Sequence, residues 1–103
     1  MTGYPLTLEE ILSWYRSKER TLTGLAISVD IFERREYTPA VAADFAGNDT
    51  LGRINGWVSG EFDFEALRVS DGKDLYSRHV DVSKLQELEP AYSEFVQHLI
   101  RAE

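Results

Sequence analysis

The chain has 103 residues and no cysteine. That excludes a disulfide framework, a thiolate metal site and a cysteine nucleophile, and it fits a cytoplasmic setting. No apolar run approaches the roughly 18 residues that a membrane span needs. The opening MTGYPLTLEEILSW lacks the basic region and apolar stretch of a signal peptide. Positive charge is also scarce: 11 Lys and Arg stand against 18 Asp and Glu, a net charge of −7. A phosphate backbone calls for a lysine- and arginine-rich surface, so the balance argues against nucleic acid and against an anionic membrane. No phosphate-cradling glycine loop and no nucleophile elbow occurs, and the glycines fall in turns. His79, within SRHVD, and His98 have no HxxxH or HxxE partner, which leaves both as surface histidines.

What remains is an ordinary globular composition, 43% hydrophobic and 28% charged, in a length that makes one domain over 1–103. Its acidity suits solubility, and it also suits a basic protein partner, because complementary fields speed encounter.

The pattern of apolar residues divides the chain into helix, strands and helix. Thr7 and Glu10 have capping-box spacing, and Leu8, Ile11, Leu12 and Tyr15 recur behind them at helical intervals, with Trp14 at the stripe's border. From Leu25 the period becomes two: Leu25, Ile27, Val29 and Ile31 share one face of a strand. Further strands are expected over about 40–46, 51–58, 61–69 and 74–82, separated by turn residues such as Gly47-Asn-Asp-Thr50 and Ser70-Asp-Gly-Lys73. The intervening Glu33-Arg34-Arg35-Glu36 reads as a solvated loop. Ser83 and Gln86 have capping-box spacing before a short helix at 83–89, and Pro90 suits the first turn of a longer one with Tyr92, Phe95, Val96 and Leu99 inward. Short loops favour an antiparallel meander. The expected fold is α+β: an N-terminal helix, a five-stranded antiparallel sheet and a C-terminal helix broken near Pro90, with the helices on one sheet face.

The stretch WVSGEFDFEALRV, 57–69, carries the functional signal, because Glu61, Asp63 and Glu65 alternate with Phe62, Phe64 and Ala66. If Ser59-Gly60 is a two-residue hairpin loop, Val58 faces Glu61, Trp57 faces Phe62 and Ile54 faces Glu65. Trp57, Phe62 and Phe64 would then form a buried aromatic cluster. Glu61, Asp63 and Glu65 would share the other face with exposed Ile54 and Val58, and Gly56 would bare backbone there. A loop one residue longer or shorter would flip that relation. Alternate positions of a half-buried strand are polar in any case, so a plain solvent-facing row explains the acids about as well. The sharper alternative is a docking face for a basic protein, whose charge would relieve repulsion among neighbouring carboxylates. Acid–base catalysis by paired carboxylates lacks a cleft motif, and a divalent metal on Asp44, Asp63 and Glu65 lacks a ligand-loop pattern.

Gly52-Arg53-Ile54, Trp57-x-Ser59-Gly60-x-x-Asp63-x-Glu65, Leu67 and the Ser70-Asp-Gly-Lys turn together resemble the TriTu family of bacterial immunity proteins. The likeness is sharpest over 51–72, and Asn55-Gly56 departs from the β-branched pair expected before the tryptophan. The resemblance implies a cytoplasmic antitoxin that neutralises an ADP-ribosyltransferase effector delivered by contact-dependent, type VI secretion, whose target is the translation factor EF-Tu. It implies a one-to-one complex that blocks the toxin's cleft, with no catalysis, no cofactor and no metal. The family features carried over are Trp57, Ser59, Gly60, Asp63 and Glu65; the strand pattern adds Glu61, Ile54 and Val58 to the expected contact face. Two competing classes are a secretion chaperone that holds an effector segment, which should dimerise around an apolar groove, and a small enzyme using the carboxylates, which should show a raised carboxyl pKa in a pocket.

Overall fold

The computed structural model describes residues 3–35 and 37–100. Thr7 opens α1 (Leu8–Leu22): its hydroxyl accepts from the Glu10 amide, and the Glu10 carboxylate accepts from the Thr7 amide, each at 3.0–3.1 Å. The predicted capping box is therefore present, and it fixes where the helix starts. The helix buries Leu8, Ile11, Trp14, Tyr15 and Leu22. Trp14 is core rather than border. Its indole N–H reaches across to Glu89, which also binds Lys18.

A one-turn 3-10 segment (Thr23–Leu25) and Ala26, in the left-handed region at φ 57°, follow α1. The first strand accordingly starts later than its period suggests. Leu25 is exposed, and β1 runs Ser28–Arg34. Then come β2 (Ala40–Ala46), β3 (Thr50–Trp57), β4 (Glu61–Arg68) and β5 (Asp74–Asp81). The sheet order β1-β2-β3-β4-β5 is antiparallel throughout, the meander expected from the short loops. The loop Glu33–Glu36 differs in part, since Glu33 and Arg34 belong to β1, while Glu36 lies outside the described residues.

At the C-terminal end a 3-10 turn (Leu85–Leu88) leads into α2 (Glu89–Ile100), with Pro90 in its first turn, where a missing N–H costs nothing. The carboxylate that caps this region is Glu87 rather than Gln86: it accepts from the amides of Ser83 and Lys84, each at 2.9 Å.

Both helices lie on the same face of the sheet, α1 over β1 and β2 and α2 over β3, β4 and β5. Between them and the sheet sit Ile11, Tyr15, Phe45, Ile54, Phe62, Phe64, Phe95 and Leu99, each at most 2% exposed. At roughly 1.5–3 kcal/mol per fully buried large apolar side chain, this layer is the main source of stability. Phe95 meets Phe45 and Phe64 edge-on, with ring centroids 5.1 and 5.8 Å apart. The end of α2 is tied down by Thr50, whose buried hydroxyl donates to the Leu99 carbonyl at 2.9 Å.

The register of β3 on β4 corrects the expectation by one residue. Ile54 opposes Phe64, Asn55 opposes Asp63 and Gly56 opposes Phe62. Residues 58–60 form the turn, and Gly60, at φ +99°, supplies the left-handed position that three-residue hairpin loops place on glycine. An added Cβ at Gly60 would fall 2.1 Å from the Val82 carbonyl oxygen, so the position is closed to other residues on two counts. The shift buries Ile54 and Val58 (0% and 4% exposed) with the phenylalanines and turns Trp57 out to the opposite face. The physical reason is the alternation of β3 itself. Ile54 and Val58 share one parity with Gly56, and burying both outweighs leaving one tryptophan half-covered. Gly56, expected to bare backbone, instead gives its space to the Phe62 ring.

Candidate functional site

The sheet face opposite the helices carries no covering element among the described residues. Register fixes its occupants in rows across the strands. One row is Asp30, Asp44, Arg53, Glu65 and Ser77; the next is Phe32, Ala42, Asn55, Asp63 and His79. Arg34, Ala40 and Trp57 begin a third row, and Glu61 and Asp81 end it. On the far side of the first row lie Ser28, Ala46, Leu51, Leu67 and Asp74. Glu61, Asp63 and Glu65 thus stand together on this open face, as the alternation of β4 requires.

Of the residues expected at a contact face, Trp57, Ser59, Glu61, Asp63 and Glu65 lie here or at its edge. Ile54 and Val58 do not. They are in the core, at 0% and 4% exposed, and take no part in the open face. Trp57, Ser59 and Glu61 line a depression of about 560 Å³ together with Arg34, Tyr37 and Thr38. Ser59 donates to the Glu61 carboxylate at 3.2 Å, and Tyr37 is almost wholly exposed at its rim.

Three residues outside the expected contact set shape the face. Arg53 makes a two-point ion pair with Asp44, through Nε and a terminal nitrogen, and the hydrogen bonds and charge of Asp44 raise its already high pKa. Phe32 lies between two guanidiniums, Arg34 at 5.5 Å and Arg53 at 5.7 Å from its ring centroid. His79 has Nδ1 against Asp63 and Nε2 against Asp81 at 3.0 Å. Hydrogen bonds to Asp63 and then Asp81 raise its pKa above the usual histidine value, because only the imidazolium can donate to both. The strand alternation could have found Phe32, Arg53 and His79, since each has the parity of the acidic row.

Glu61, His79 and Asp81 bring ligand atoms within 4.8 Å of one another. All three are exposed, and the imidazole already engages two carboxylates, so the group reads as a local charge network. The metal set weighed from sequence, Asp44, Asp63 and Glu65, is not brought together in that way: Asp44 is taken by Arg53 and Asp63 by His79.

At the other end of the face a larger depression, about 600 Å³, crosses all five strands. Ala46, Leu51 and Leu67 belong to it, as do Asp30, Asp44, Arg53, Glu65 and Asp74. Among the described residues no helix is long and apolar enough to cross a membrane.

Two helices on one side of an antiparallel meander, with an open, acid-rich and partly aromatic sheet face on the other, describe a small α+β protein with its polar chemistry concentrated on one flat surface. Residues 9–98 match the model of the immunity protein family TriTu, and the chain belongs to that family. No curated protein matches it.

Proposed function

We propose that this immunity protein neutralises a cognate ADP-ribosyltransferase toxin by binding it one-to-one through the open sheet face and occluding its catalytic cleft. The observation that carries the reading is the family match over residues 9–98, joined to a face that presents Glu61, Asp63 and Glu65 beside half-exposed Trp57. A cleft that binds a dinucleotide pyrophosphate needs cationic groups. An acidic, rigid sheet can compete for those groups with no chemistry of its own and no cofactor. Negative charge on the sheet also favours rapid, steered association, and a sheet surface needs little ordering on binding. The expected location is the cytoplasm of the bacterium being protected, where a toxin delivered by contact-dependent secretion would act.

Coexpression with a candidate ADP-ribosyltransferase toxin domain from the same genome tests the reading. Cell survival and copurification of an equimolar complex are expected. A folded, expressed protein that neither rescues growth nor copurifies would refute it.

A further inference from the structure

Glu61 and Asp63 lie toward the Trp57 end of the open face, whereas Glu65 lines the depression of about 600 Å³ at the other end. That depression runs across all five strands, and its lining divides cleanly by chemistry. Ala46, Leu51 and Leu67 are opposed in register, which lays an apolar strip across three adjacent strands. Leu51 is 48% exposed on a face that nothing covers. Around that strip stand four carboxylates from four different strands, Asp30, Asp44, Glu65 and Asp74, and one cation, Arg53. Arg53 is already held by Asp44 in a two-point pair. Among the described residues the carboxylates of Asp30 and Asp74 make no side-chain hydrogen bond or ion pair, and Asp30 lies directly opposite Asp44, an unfavourable juxtaposition of like charges.

Building on the reading of this chain as a toxin-binding immunity protein, we infer that this groove receives a long basic side chain, arginine or lysine, from a loop of the toxin. The aliphatic stem lies on the Ala46–Leu51–Leu67 strip while the cationic head reaches the Glu65 and Asp74 carboxylates, which stand on the adjacent strands β4 and β5 beside Leu67. Long basic side chains are the residues that satisfy both halves of such a site, since their stems are apolar and their heads charged. A groove of about 600 Å³ admits a loop tip and its side chain together. A second copy of this chain is a poor occupant: at a net charge of −7 it would bring acid against acid. Leu51 and Leu67 would then serve as the apolar anchor that Ile54 and Val58, being buried, cannot supply.

The test is calorimetric titration of the purified toxin domain into three variants of the full chain, each first checked for an unchanged melting temperature. Glu65→Gln/Asp74→Asn removes both charges with little change in size and should weaken binding about tenfold, the scale of rim-to-buried charge pairs. Leu51→Lys places a cation on the strip and should weaken it about thirtyfold or more. Glu9→Gln/Glu19→Gln on α1 changes the net charge by the same amount as the first variant and should stay within about threefold, since it alters only long-range steering. Wild-type affinity in both groove variants, with the wild type itself binding toxin, overturns the groove while leaving the immunity reading intact. A wild type that fails to bind refutes both. Sedimentation showing a wild-type dimer that Leu51→Lys dissociates, with toxin affinity unaltered, would assign the groove to a second copy and equally overturn the inference.

Discussion

Asp63 on β4 lies directly opposite His79 on β5, and its carboxylate engages the imidazole Nδ1 while Asp81 engages Nε2. Part of the acidity of the open face is therefore met within the face itself. His79 should titrate above the ordinary histidine value of about 6.5. A folded-state pKa above the unfolded one means that the folded protein holds the proton more tightly. Its stabilisation is fully present below about pH 6.5 and is lost as pH rises through the folded pKa. Imidazole resonances followed by NMR should give a midpoint above 6.5, lowered by Asp63→Asn and by Asp81→Asn. A midpoint at or below 6.5 would show that the clasp does not form in solution.

Gly56 has a packing reason to be glycine. A Cβ there would stand 2.1 Å from Cε2 of Phe62 and within 2.8 Å of two more ring carbons. The ring is 0% exposed and sits within the core, so it cannot move aside without strain. Gly56→Ala should cost about 2 kcal/mol or more, in the range of overpacked cores. Adding Phe62→Leu should return part of that loss relative to the sum of the single changes. Urea denaturation of the two single variants and the double variant measures both, and additive losses would contradict the contact.

Tyr15 ties α1 to the sheet. Its buried hydroxyl donates toward the carbonyls of Val41 at 2.9 Å and Ile54 at 3.3 Å, one on β2 and one on β3. Burial pushes the phenol well above the usual tyrosine range, which favours the protonated form that donates these bonds. Tyr15→Phe should lower stability by about 1–2 kcal/mol, the scale of a buried hydrogen bond, and leave toxin binding unchanged because the residue faces away from the open side. An unaltered denaturation midpoint would contradict this role.

The elements were legible because their periods were. Thr7 and Glu10 marked the first helix, Pro90 the start of the last, and short turns the meander. The limits were local. Ala26 takes a left-handed backbone that no propensity signals, so β1 begins three residues after Leu25. The register of β3 on β4 failed for a clearer reason: Ser59-Gly60 looks like a two-residue loop, and Trp57 looks like core. Had the shared parity of Ile54 and Val58 been weighed against the single tryptophan, the three-residue turn would have followed. The candidate face was half legible. The acidic row of β4 is visible in one strand's alternation, and it survives the shift because β4 itself did not move. The groove around Leu51 and Leu67 was not visible, because its carboxylates come from four strands and meet only once the sheet is assembled.

The claim that the toxin docks on the open sheet face is tested most directly by comparing two charge reversals of equal size. Asp63→Lys/Glu65→Lys lies on that face, and Glu9→Lys/Glu19→Lys lies on α1, each changing the net charge by the same amount. Calorimetry against the toxin domain should show at least about 2 kcal/mol lost in the sheet variant, on the scale of interfacial charge pairs, with its fold intact by circular dichroism. The helix variant should lose much less. Equal losses, or wild-type affinity in the sheet variant, would contradict the account and move the interface elsewhere.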